Sequence, residues 1–194
     1  MAKADNTDKA KVEVTSSAEL RTWLEANHAQ EDSIWLVTYK KHMGAKYVSR
    51  EEVLDEILCF GWIDGRRMKL DADRTMQLIA PRKTQHWAKS YKDRVAKLEK
   101  EGRMHEAGRA VIEASKANGM WTFMDDVDAL IVPDDLQTAL DANPPAATNF
   151  DASAPSYKRN ILRWIKLAKT DKTRAKRIAK TADFASRDEK IPQM

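Results

Sequence analysis

The apolar positions of this chain follow two rhythms, and the places where one gives way to the other predict its elements. "VEVTSS" predicts a short strand. Ser16 followed three residues later by Glu19 has the form of a capping box, and it opens a helix whose apolar side carries Leu20, Trp23 and Leu24. "SIWLVTYKK" is dense in β-branched and aromatic residues and predicts a buried strand over residues 34–40. Ser49 and Glu52 form a second capping box, and Val53, Leu54, Ile57 and Leu58 give the following helix one apolar face. That helix runs into "CFGWIDGRR", where the apolar period stops at Gly61, a position suited to the left-handed residue that ends many helices.

Alternation then takes over. "RRMKL" and "TMQLI" read as the arms of a hairpin around "DADR". Pairing like with like sets Met68 opposite Leu78, Leu70 opposite Met76, Arg66 opposite Ala80 and Asp64 opposite Arg82, with a left-handed residue expected at Asp73 or Arg74. From Thr84 onward the period is helical: Thr84 is expected to cap a helix bearing Trp87, Tyr91, Val95 and Leu98, and a second helix closes at Gly119. A short helix in "PDDLQTALDANPP" stops at two prolines. "APSYKRNILRWIKLAK" predicts a helix over residues 157–169 docked by Ile161, Trp164, Ile165 and Ala168, and a basic helix follows it. Strands first and helices later predict an α+β fold: a small antiparallel sheet with covering helices, then an all-helical C-terminal part.

Composition changes this picture little, but the charge changes it at one place. With 194 residues, 42% hydrophobic and 33% charged, the chain suits one compact domain or two small ones. No apolar run is long enough to span a bilayer, and the polar start lacks the apolar stretch of a secretory signal, so no membrane insertion and a cytoplasmic location are expected. Cys59 is the single cysteine, which fits a reducing compartment and excludes a cysteine-rich zinc site. The net charge of +4 is unevenly spread. Residues 117–157 hold seven aspartates and no Lys or Arg, whereas residues 158–180 are dense in both. Either the two blocks pack against each other, or the basic one binds an anionic partner such as nucleic acid.

The phrases "EILCFGWIDGRR", "APRK…W" and "EGRM", and above all "DDLQTALDANPPAATNFDASAPSYKRNILRWIKLAKTDKTRAKRIAK", resemble bacterial proteins of the bacteriocin-protection or YdeI/OmpD-associated family. The resemblance runs from about Ser16 to Lys180. It implies an α+β domain over 16–120 and a helical module over 121–185; the polar start ahead of them is expected to form a mostly disordered N-terminal arm over 1–15, and a tail is expected over 186–194. The resemblance also implies a bacterial protein linked to tolerance of bacteriocins or cationic peptides, with no defined reaction.

Candidate chemistry is sparse. Cys59 sits at a helix C-terminus, where the dipole opposes a thiolate, so packing is its expected role. His28, His42, His86 and His105 have no metal-ligand spacing, and no phosphate loop, dinucleotide fingerprint or serine elbow occurs. No catalytic residue, metal or cofactor is assigned. What remains is Asp64, Arg66, Arg67, Arg82 and Lys83 around the hairpin, edged by Trp62 and Trp87 and followed by the expected Thr84 helix start, an arrangement suited to a carboxylate or phosphate. Three readings stay open: a non-enzymatic binding protein for an anionic small molecule or a protein partner, a nucleic-acid-associated protein using the basic C-terminal helices, and an enzyme of unknown reaction using residues 59–67.

Overall fold

The computed structural model describes residues 9–192, so the first eight residues of the expected N-terminal arm lie outside it. The chain divides between Thr122 and Phe123 into two compact units. The first holds a four-stranded sheet in the order β1-β2-β4-β3, formed by β1 (Lys11–Glu13), β2 (Ile34–Tyr39), β3 (Trp62–Lys69) and β4 (Arg74–Pro81). The α+β class therefore holds. One pairing within it differs from the expected antiparallel arrangement: β1 runs parallel to β2, because α1 (Ser17–Asn27) carries the chain back between them, and parallel neighbours need such a crossover.

Helix α1 starts at the Ser16 cap, whose Oγ accepts the N–H of Glu19 at 3.1 Å. The return bond of the box goes elsewhere: the Glu19 carboxylate accepts from the backbone N–H of Thr15 at 2.7 Å. At α2 (Arg50–Cys59) the box is complete, with Ser49 and Glu52 bonding reciprocally at 2.8 and 3.2 Å. Beneath these helices Ile34, Leu36 and Ile79 of the sheet join Leu20, Leu24, Ile57 and Leu58 in one core. Trp35, Val37 and Met76 alternate with them and form a smaller cluster on the other face of the sheet.

Gly61 ends α2 as the sequence predicts, with φ of 74°. A Cβ there would also stand 2.7 Å from Val111 Cγ2 of α4 (Glu106–Ala117). The neighbouring contact is closer still, since a Cβ on Gly108 would meet the Cys59 carbonyl oxygen at 2.2 Å. These two glycines let α4 lie directly on the end of α2. Gly61→Ala is expected to cost about 2 kcal/mol, left-handed strain being about 1–2 kcal/mol before any clash. A urea unfolding midpoint equal to that of the wild type would contradict this.

The hairpin does not adopt the expected register. Met68 lies opposite Met76, Arg67 opposite Gln77, and Asp64 opposite Ile79, with a bulge between Asp64 and Arg67. Like does pair with like, but two residues closer to the turn. The turn is closed by the Asp71 carboxylate, which accepts the backbone N–H groups of Asp73 (2.9 Å) and Arg74 (2.7 Å), so no left-handed residue is needed there. The helix expected from Thr84 begins later, as α3 (Lys89–Lys100) with Ala88 as its cap. Residues 82–88 stay irregular because their backbone groups find partners other than helical ones: the Arg82 guanidinium donates to the carbonyls of Gln85 and His86, and the Trp87 backbone N–H donates to the Met120 carbonyl.

The C-terminal unit is helical: α5 (Asp125–Asp128), α6 (Asp134–Asp141), α7 (Ala146–Ala152), α8 (Pro155–Lys166) and α9 (Asp171–Ser186). Leu136, Leu140, Phe150, Ile161, Leu162, Ile165, Ile178 and Ala182 form its core. Leu162 takes the central place expected for Trp164, which packs at the edge beneath the Arg177 guanidinium 5.1 Å from its ring. The acidic and basic blocks meet here. Lys166 pairs with Asp126 at 2.6 Å, Arg174 with Asp135 at 2.6 Å, Lys158 with Asp151 at 3.3 Å and Arg159 with Asp128 at 3.7 Å.

The two closest pairs make an acid prediction. The Arg174 hydrogen bond holds the Asp135 carboxyl below the ordinary 3.8, against a smaller effect of burial. For Asp126 burial pushes the pKa up, but the Lys166 and backbone bonds together outweigh it and the net shift is downward. A depressed folded-state pKa stabilises above the unfolded value and is lost as pH falls through the folded one. The C-terminal helices should therefore lose stability below about pH 4, and Arg174→Gln should reduce that loss. Helical circular dichroism in urea, unchanged between pH 6 and pH 3, would contradict the prediction.

Candidate functional site

The bulge and register of the hairpin decide which candidates come together. Trp62 and Asp64 face the helices. Trp62 is fully buried, its ring edge-on to Trp23 at 5.6 Å and its Nε1–H donated to the His28 carbonyl at 3.2 Å, so it belongs to the core. Arg66 and Arg67 diverge as consecutive strand residues do. The Arg66 guanidinium lies 5.6 Å from the Trp35 ring on one face, while Arg67 donates to Thr75 Oγ1 at 2.9 Å on the other. Lys83 is exposed, and its backbone N–H donates to Gln85 Oε1 at 2.7 Å.

Asp64, Arg82 and Trp87 remain together, joined by residues the sequence reading left aside. Asp64 accepts the Tyr91 hydroxyl at 2.5 Å and Gln77 Nε2 at 3.4 Å, and Arg50 comes within 3.8 Å. The expected Asp64–Arg82 ion pair does not form, because the true register places Asp64 opposite Ile79, three residues before Arg82. Arg82 is only 6% exposed, and its guanidinium lies over Trp87 at 3.9 Å and 5.7 Å from the Tyr91 ring. One terminal nitrogen donates to the carbonyls of Gln85 (3.3 Å) and His86 (3.2 Å). Its Nε and the Trp87 Nε1 are buried donors with no acceptor among the described residues.

The electrostatics follow from burial. Removal from water pushes the Arg82 pKa down to about 10, which Tyr91 and Asp64 offset only in part. The Tyr91 phenol is pushed up to about 12, first by burial and then by its bond to Asp64. Tyr91 therefore stays protonated at neutral pH and serves as a donor. Its signal was in the sequence: it lies on the apolar stripe with Val95 and Leu98, and a tyrosine turned inward needs a partner for its hydroxyl.

A second polar cluster lies behind Cys59. Glu56 is 5% exposed and accepts from Arg103 at 2.8 Å and Arg21 at 3.1 Å, while Asp55 pairs with Arg94 at 2.5 Å and Arg103 at 3.4 Å. Cys59 is buried, and burial followed by the Glu56 charge raises its thiol to about 11, which suits packing and not attack. Among the described residues no three His, Cys, Asp or Glu side chains gather as metal ligands, and no helix is long and apolar enough to cross a membrane.

Fold and site together define a two-unit α+β protein whose sheet unit encloses a cationic cluster beside its β-hairpin. The chain belongs to the family of the domain of unknown function DUF8412, whose model matches residues 12–111 and so includes Asp64, Arg82, Trp87 and Tyr91. Residues 129–187, in the helical unit, match the family model described as bacteriocin-protection, YdeI or OmpD-associated. The resemblance seen in the sequence is thus carried by its second block, and the "CFGWIDGRR" block falls under the other model. Neither the curated proteins nor the solved structures contain a match to the chain.

Proposed function

We propose that this is a non-enzymatic, cytoplasmic binding protein that takes a small carboxylate or phosphate at Arg82 and acts in tolerance of bacteriocins or other antimicrobial peptides. One observation carries the binding half: among the described residues, Arg82 Nε and the indole Nε1 of Trp87 are both buried without an acceptor, and the Arg82 guanidinium lying on that indole makes no ion pair. An unpaired buried donor costs about 1–3 kcal/mol, so a charged acceptor reaching both would be strongly favoured. A guanidinium suits carboxylate or phosphate oxygens, and the depressed pKa of Arg82 means that an arriving negative charge restores what burial removed. The Asp64–Tyr91 pair favours binding over catalysis, because a phenol held near 12 is a poor base or nucleophile at neutral pH.

The tolerance half rests on the family description matched by the helical unit. Its basic block is drawn into ion pairs with the acidic one, which favours this reading over nucleic-acid binding. In cells lacking the gene, the wild-type protein is expected to restore survival under bacteriocin challenge, and Arg82→Gln at equal protein level is expected not to. Equal survival with both alleles would remove the link between the site and the phenotype.

A further inference from the structure

Between α3 and α4 lies a cleft of about 430 Å³, with Val95, Ala96 and Ile112 as its floor and Trp121 as a wall. This is within the range of about 300–1,000 Å³ typical of small-molecule sites, which are mostly apolar. Val95 and Ile112 are buried, and Ala96 is exposed beside them, where its small side chain keeps the cleft open. The charged rim is engaged with itself. Glu99 accepts the Arg109 Nε–H with both oxygens at 2.9 and 3.1 Å across the two helices, and Glu113 accepts from Lys116 at 2.7 Å. The ammonium groups of Lys92 and Lys116 also lie against the Trp121 ring, at 5.4 and 5.7 Å.

From this arrangement we infer that the α3–α4 cleft binds an uncharged, largely apolar small molecule. Its body lies on Val95, Ala96 and Ile112 against Trp121, and any polar group it carries stays at the mouth. Charge is what the rim selects against. An anionic head would face Glu99 and Glu113, and a cationic head would face Arg109 and Lys116. A charged group also gives up hydration on entering an apolar cleft, and a counter-charge could offset that loss only by leaving the partner it already holds. An uncharged molecule buries its apolar surface and leaves both ion pairs intact. The chemistry is opposite to that of the Arg82 site, which takes an anion, so binding at one does not stand in for binding at the other.

Calorimetric titration of the full-length protein at neutral pH with naphthol tests the inference. Naphthoate and naphthylmethylammonium serve as controls, since they keep the same ring system and carry one negative or one positive charge. Saturable one-to-one binding of naphthol is expected, with each ion at least tenfold weaker. Ala96→Leu fills the cleft from an exposed helical position where leucine is nearly as good a helix former as alanine. It should weaken naphthol at least tenfold without lowering the unfolding midpoint. No saturable binding of naphthol, either ion binding within tenfold of it, or a loss smaller than tenfold in Ala96→Leu would overturn the assignment.

Discussion

Glu56→Ala is expected to destabilise the protein by about 3 kcal/mol, the lower part of the range of about 3–5 kcal/mol for breaking a buried charge network. Glu56 is the anion between Arg21 and Arg103, and each of its oxygens accepts one guanidinium. Removing it leaves two cations facing each other behind the end of α2, with the longer pairs to Asp55 and Glu101 left to Arg103 and the pair to Glu25 left to Arg21. The arginine side chains are about one-third exposed, so water recovers part of the loss and the lower figure applies. Glu56→Gln keeps the shape and one acceptor and should cost less. Urea unfolding measures both, and a loss under about 1 kcal/mol for Glu56→Ala would show that the arginines solvate themselves.

Trp62→Ala should cost about 3–5 kcal/mol, as deletions of large buried aromatics do. Three effects add: a cavity beside Trp23, the loss of an edge-to-face contact, and a His28 carbonyl left without the indole donor. Trp62→Phe fills most of that space and lacks only the N–H and part of the ring, so a loss of about 1–2 kcal/mol is expected from it. If both variants unfolded at the wild-type midpoint, Trp62 would be a surface residue and the core described above would be wrong.

The legibility of the fold varied with the range of the interactions involved. The Ser16 cap, the capping box at Ser49, the apolar stripes of α1 and α2, and the left-handed Gly61 are set by residues within four positions of one another, and they could be read directly. The hairpin was half legible. Its arms alternate plainly, but its register depends on the Asp71 side chain, which replaces the expected left-handed residue, and on a bulge that alternation alone does not signal. The late start of α3 was hidden, because a Trp87 bond to Met120 lies outside any local window.

The site was legible as a neighbourhood and not as a geometry. Asp64, Arg82 and Trp87 were found from their clustering in the chain, whereas Arg66 left for the far face of the sheet and Trp62 for the core. Tyr91, Gln77 and Arg50 were missed, since they reach Asp64 from two helices and a neighbouring strand. Glu56 carries no local sequence signal that sets it apart from the other carboxylates of α2. Its burial follows from Arg21 and Arg103, which are 35 and 47 positions away.

The Arg82 site itself is tested most directly by calorimetric titration with inorganic phosphate and with succinate. At least one of these anions should bind one-to-one to the wild type. Trp87→Phe keeps an aromatic ring under the guanidinium and removes the indole N–H, while Arg82→Gln removes the charge. A charge-assisted hydrogen bond is worth about 1.5–3 kcal/mol, so each variant should weaken binding by about tenfold or more. Binding of neither anion to the wild type, or equal binding to all three proteins, would mean that Arg82 is a brace for the 82–88 loop and nothing more.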